Sequence, residues 1–154
     1  MRKGKVFWSV IILVLILDRI TKELAPGLPA QGLALISGVI GLRYMENTGI
    51  AFSLLSGMPR LTGILGLAVV VGGFLWLRKK SIAPFPLTGL ALMAGGALGN
   101  MPDRLIRGFV PDMIETLFVS FPVFNIADSC LTVGCILVMV SLLCRPQDWQ
   151  SINS

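Results

Sequence analysis

The chain has 154 residues, of which 55% are hydrophobic and 14% charged, with a mean hydropathy of +0.83, a balance that excludes an ordinary soluble domain and points to an integral membrane protein. A net charge of +5 does not by itself indicate nucleic acid, because the lysines and arginines neither form a long run nor interleave with aromatics. The chain contains no histidine, which excludes Ser-His-Asp and Cys-His nucleophiles and every histidine-based metal site.

A membrane helix needs about 20 mostly apolar residues, and four runs meet that need, at about 6–25, 61–77, 84–100 and 123–143. The first follows Met1-Arg-Lys-Gly-Lys5 and could be a cleavable signal peptide, but Ala25-Pro-Gly27 and Ala30-Gln-Gly32, the nearest small-residue cleavage patterns, lie well beyond its apolar core. The polar stretch Asp18-Arg-Ile-Thr-Lys22 between them reads as a retained helix end, so an anchored first helix is expected. Residues 26–60 are too polar and glycine-broken to span. There Val39 to Glu46 partly alternates, Asn47-Thr-Gly49 signals a turn and Ile50 to Leu55 resumes, which predicts two or three short strands outside the bilayer. Leu33, Leu35, Ile36, Val39, Ile40, Leu54 and Leu55 make this cap apolar enough to rest on the membrane surface.

The second run carries Gly63, Gly66, Gly72 and Gly73, and the third carries Ala94-Gly-Gly-Ala-Leu-Gly99, spacings that predict close helix packing through small residues. Residues 101–122 read as a second outer loop. Cys130, Cys135 and Cys144 lie in or just after the fourth run and show no disulfide-framework spacing. Arg2, Lys3, Lys5, Arg78, Lys79, Lys80 and Arg145 fall on one side of a four-span chain, which makes that side, with both termini, cytoplasmic. Six other basic residues and seven of the eight acids fall on the opposite side.

On that topology Asp18, Lys22, Asn100, Asp103, Arg104, Asn125 and Asp128 gather at one end, and Asp112 lies in the loop joining two of the spans. Asn125 and Asp128 are three residues apart and Asp18 and Lys22 four, so each pair shares a helix face. Any one of these groups is ordinary as a solvated helix end. Supplied together by three helix ends, they mark a functional path, because ionisable groups at membrane depth face a bundle interior or an aqueous cavity. Two aspartates close together cannot both ionise easily; one can take a proton from water while the other donates to a carbonyl oxygen, which hydrolyses an amide without a covalent intermediate.

Five stretches carry a family resemblance: Asp18-x-x-Thr-Lys22, Asn47-x-Gly-x-Ala-Phe52, Gly99-Asn-x-x-Asp-Arg104, Val110-x-Asp112 and Phe124-Asn-x-Ala-Asp-Ser129. In this order and spacing the chain resembles the bacterial lipoprotein signal peptidases, signal peptidase II. The resemblance implies one membrane peptidase domain over residues 1–154, a bundle of four transmembrane helices with a small extracytoplasmic β-strand cap in the bacterial inner membrane, its active site near the extracytoplasmic face. It implies cleavage of diacylglyceryl-modified prolipoproteins just before the lipidated cysteine, by a monomer in contact with membrane lipid, with no cofactor, metal or nucleic acid. Carried over by motif, Asp112 and Asp128 match the catalytic pair, and Asn47, Asn100, Arg104 and Asn125 match residues lining the site. Asp18, Lys22 and Asp103 match supporting residues.

Two prolines depart from the expected pattern. Pro102 lies inside the Asn-x-x-Asp-Arg motif, and Pro111 precedes Asp112, where it removes a backbone donor from any strand-like contact with substrate. Phe52, Phe109, Phe118, Phe121 and Phe124 are candidates for an acyl entrance, though ordinary packing or lipid contact explains each as well. A small transporter or proton-coupled channel would also place such groups between helices, but it predicts inverted repeats or paired broken helices, and the sequence shows neither. A purely structural scaffold predicts that Asp112→Asn and Asp128→Asn are tolerated.

Overall fold

The structure, a computed structural model, describes residues 2–49 and 57–151. Helices α1 (Arg2–Leu24), α2 (Pro59–Leu77), α3 (Pro84–Pro102) and α4 (Ile126–Cys144) fall on the four apolar runs of the sequence. Two of them open on Pro59 and Pro84, where the missing N–H is one that a first turn leaves unpaired anyway. By length and apolar composition alone, α2 and α4 qualify as membrane spans among the described residues. Asp18, Arg19, Lys22 and Glu23 crowd the last turns of α1, and proline, glycine and Asn100 dilute the aliphatic content of α3.

α3 is the central helix and packs against the other three. Its seam with α4 is made by missing side chains: a Cβ on Gly89 would stand 2.9 Å from the Gly134 carbonyl oxygen, and one on Gly134 2.6 Å from that of Gly89. Two turns nearer the site, a Cβ on Gly96 would run into the Ala127 carbonyl. The expectation of packing through small residues thus holds for α3 and for Gly63, which lies against Leu105 and Arg104. At Gly66, Gly72 and Gly73 of α2 an added Cβ would meet nothing.

Burial is inverted relative to a soluble protein. Ile12, Leu13, Ile16, Ile64, Val69, Met139 and Leu142 are exposed, whereas Asp18, Lys22, Asn100, Asp103, Asp112 and Asn125 are each at most 2% exposed. Such a molecule turns its apolar faces outward, as a protein solvated by lipid does.

Outside the helices, β1 (Leu33–Ile36), β2 (Ile40–Asn47) and β4 (Val110–Thr116) form an antiparallel sheet in the order β1-β2-β4. The first two strands match the expected cap; a third within Ile50–Leu55, and Phe52, fall outside the described residues. β4 lies in the stretch whose sequence predicts a loop. It forms after a π-helical turn, Asp103–Arg107, that closes on Gly108 in the left-handed conformation. Pro111 is accommodated because β4 is the last strand in the sheet order, where a ladder tolerates a missing donor.

The far edge of β4 meets Phe124: the Met113 and Ile114 amides donate to its carbonyl at 3.0 and 2.8 Å, and its own amide donates to the Ile114 carbonyl at 3.0 Å. At the opposite end of the bundle, β3 (Lys80–Ile82) pairs with β5 (Trp149–Ser151), a small sheet for which the sequence gives no signal.

Candidate active site

Five side chains from four elements converge where the sheet meets the helix ends. Asn47 ends β2, Asn100 lies in the last turn of α3, Asp112 is the third residue of β4, and Asn125 and Asp128 open α4. The β4–Phe124 hydrogen bonds bring the start of α4 against Asp112. Asn125 is not inside the helix, as the shared-face reading has it, but caps it. Its Oδ1 accepts from the Asp128 amide at 2.9 Å, and the Asp128 carboxylate receives the Asn125 amide at 3.4 Å, a reciprocal capping box.

Each carboxylate is held by side-chain amides. Asp112 accepts from Asn47 Nδ2 at 2.9 Å and from Asn125 Nδ2 at 2.7 Å, and Asp128 accepts from Asn100 Nδ2 at 2.7 Å. An amide can turn either its oxygen or its nitrogen to a neighbour, but each of these three is fixed by a group that can only donate. The Gly49 backbone amide donates to Asn47 Oδ1 at 2.9 Å, the Asp128 amide to Asn125 Oδ1, and the Lys22 ammonium to Asn100 Oδ1 at 2.7 Å. With every oxygen engaged by a donor, every nitrogen is left for an aspartate.

Behind the amides lies a buried ionic cluster. Lys22, wholly buried, meets Asp18 at 2.7 Å and Asp103 at 3.0 Å, and also donates to the Gly99 carbonyl at 3.2 Å. Asp18 in turn accepts from the Ala127 amide at 3.0 Å, satisfying a second donor at the start of α4. Asp103 also receives Arg19 at 3.2 Å. The cluster ties the ends of α1, α3 and α4 together. Interactions of this kind stabilise only while complete, because removing one partner strands a charge in a medium that cannot solvate it.

Asp112, 1% exposed, has its carboxyl pushed up to about 6. Burial is the main cause and the charge of Asp128 adds to it, while the Asn47 and Asn125 hydrogen bonds and the charge of Lys22 pull the other way. A carboxyl held near neutrality beside a second carboxylate is the arrangement that shares a proton.

Both aspartates open on a cavity of about 580 Å³. Its polar end is formed by Asn47, Gly49, Arg104, Asp112 and Asp128, and Arg104 Nη2 donates to the Gly49 carbonyl at 3.3 Å. The other walls are Met45, Phe121, Val123, Phe124, Leu131 and Val133. Of the phenylalanines singled out in the sequence, Phe121 and Phe124 line it; Phe109 and Phe118 do not, and Phe118 is 70% exposed. Glu46, Ser129, Leu131 and Thr132 were not anticipated. The last two lie three and four residues beyond Asp128, a helical spacing that could have found them.

The sequence pattern of the family described as Signal peptidase (SPase) II matches residues 10–144. The chain is 40% identical over 139 residues to the lipoprotein signal peptidase of Syntrophomonas wolfei, covering 89% of this chain and 92% of that protein. It is 35% identical over 146 residues to the one from Streptococcus pneumoniae, covering 93% and 95%. A solved structure of a bacterial membrane enzyme, obtained by the in meso method, superposes with a TM-score of 0.84 at 30% identity over 90% of this chain and 88% of its own. A second, described in the same words, gives 0.82 at 29% identity over 92% and 94%. The class is therefore a peptidase of the aspartic type. Within that class, the chain belongs to the signal peptidase II family.

Proposed function

We propose that this peptidase removes the signal peptide from prolipoproteins, cutting just before a cysteine that carries a diacylglyceryl group, with Asp112 and Asp128 as its catalytic pair. The observation that carries this reading is the cavity: two amide-held carboxylates at its polar end and apolar walls along α4 suit a peptide bond next to acyl chains. The pair shares one proton. The ionised member takes a proton from water as the hydroxide attacks the scissile carbonyl carbon, and the protonated member gives its proton to the carbonyl oxygen, forming a gem-diol. Collapse of the gem-diol breaks the C–N bond as the pair returns a proton to the leaving nitrogen. Asn47, Asn100 and Asn125 hold the carboxylates throughout, and Arg104 offers its guanidinium to a substrate carbonyl.

All four helices cross the membrane in this reading, with both termini cytoplasmic and the dyad near the outer face. Asp18 and Lys22 of α1 and Asn100 of α3 are buried, which supports a span for both helices despite their composition. A monomer is the working unit in this reading. The test is cleavage of a prolipoprotein with and without its diacylglyceryl group by the purified protein and by Asp112→Asn and Asp128→Asn. Cleavage limited to lipidated substrate and lost in both folded variants is expected; cleavage by both variants removes the dyad assignment.

A further inference from the structure

The three tryptophans of the chain all stand at the bundle end opposite Asp112 and Asp128. Trp8, near the start of α1, stacks on Phe74 of α2 at 5.4 Å, and Trp76, near the end of α2, lies 6.0 Å from Trp149 of β5. Trp8 and Trp76 are about half exposed. Cations share this end: Lys80 sits 5.5 Å over the Trp76 ring, Arg145 lies 5.4 Å over Phe85, and Arg78 and Lys79 are exposed between α2 and β3.

This frame is built, not frayed. β3 pairs with β5, the Ala83 amide donates to the Asp148 carbonyl at 3.0 Å, and Trp149 Nε1 donates to Ser141 Oγ at 3.0 Å. Asp148 is the sole acid of this end and is taken by Arg145 at 3.3 Å. Neither Arg78 nor Lys79 has an ion-pair partner among the described residues.

We infer that this end is a binding surface for anionic lipid headgroups, with the cations of the α2–β3 corner engaging lipid phosphate and the tryptophans seated beside them at the interface. Charge complementarity selects that occupant. Amphipathic indoles next to basic groups at the ends of apolar helices match an interface that is apolar below and negatively charged above. The surface is also continuous with the exposed aliphatic faces of α1 and α2, so a lipid that meets it with its phosphate lays its chains against Val71 and Leu75.

Because all three indoles are here, tryptophan emission excited on the red edge, beyond the absorption of Tyr44, reports on this end alone. The test reconstitutes the full chain in phosphatidylcholine vesicles in which chain-brominated phosphatidylglycerol or chain-brominated phosphatidylcholine replaces a rising fraction of the lipid. Brominated phosphatidylglycerol is expected to reach half-maximal quenching at about two- to fivefold lower fraction. That preference should vanish in Arg78→Gln/Lys79→Gln and in high salt, and persist in Arg43→Gln, which changes an exposed cation of the β1-β2-β4 sheet. Coincident quenching curves for the wild type, or a preference unchanged in Arg78→Gln/Lys79→Gln, overturn the inference. The readout needs no peptidase activity, so its failure is separate from any failure of the proposed reaction.

Discussion

The two ends of the helix bundle handle charge in opposite ways. At the end with Asp112 and Asp128, six cations and seven acids nearly cancel, and the central ones, Asp18, Lys22 and Asp103, form closed circuits out of reach of solvent. At the other end seven cations face one acid, and Lys5, Arg78, Lys79 and Arg145 are exposed. Buried charge there is fixed by neutralisation, since an unpaired ion inside costs several kcal/mol. Exposed charge stays available because water and headgroups solvate it. The first arrangement is suited to holding geometry, the second to meeting a changing surface.

The sharpest way to break this contrast is at the dyad. Asp112→Asn or Asp128→Asn should lower turnover about 10²- to 10⁴-fold or more, with circular dichroism and melting behaviour preserved. Retained turnover in both would mean that the closed circuits serve architecture only.

Next in size is Lys22→Met, which leaves buried Asp18 without its cation and Asp103 with only the more exposed Arg19 and Arg107 at its other oxygen. It should destabilise the fold by roughly 3–5 kcal/mol, read as a fall in melting temperature in detergent. Asp18→Asn/Lys22→Met/Asp103→Asn, which removes the charges together, should recover part of that loss. If Lys22→Met alone melts like the wild type, the cluster is not the brace described here. Gly134→Val should also destabilise, because its side chain meets the Gly89 carbonyl across the α3–α4 seam, whereas Gly72→Val on the open face of α2 should change melting little.

A smaller effect concerns pH. Asp112 binds its proton more tightly folded, at about 6, than at the ordinary carboxylate value of 3.8. Between those values the folded state holds more protons, so stability should fall as pH rises through the window and level off above it, by an amount on the order of 2–3 kcal/mol at most. Melting curves from pH 4 to 7 should show this slope in the wild type and a reduced one in Asp112→Asn. The smallest effect is expected at the far end, where Arg78→Gln/Lys79→Gln should leave turnover in uncharged detergent unchanged.

Much of the helical frame was legible because lipid imposes length and apolarity on any span, a signature that 61–77 and 123–143 carry plainly and that 6–25 and 84–100 carry diluted by charged residues, proline and glycine. The residues of the site were legible as a set because polar groups are conspicuous in such runs. β4 was not. Gly108 and Pro111 read locally as loop, and the strand exists because of pairing with β2, 63 to 76 residues away in sequence, which no local pattern encodes. β5 is hidden for the same reason. The glycines of α2 and α3 look alike in sequence; only the neighbours of each helix separate those that let backbones touch from those that face outward.

The hydrogen bonds between β4 and Phe124 also have a mechanical consequence. Asp112 is carried by the strand and Asp128 by the helix that Phe124 leads into, so three backbone hydrogen bonds and one shared asparagine weld the two aspartates into a single rigid lever. A β1–β2 hairpin that moves to admit a substrate would move against this unit and leave the spacing of the two carboxyl groups unchanged.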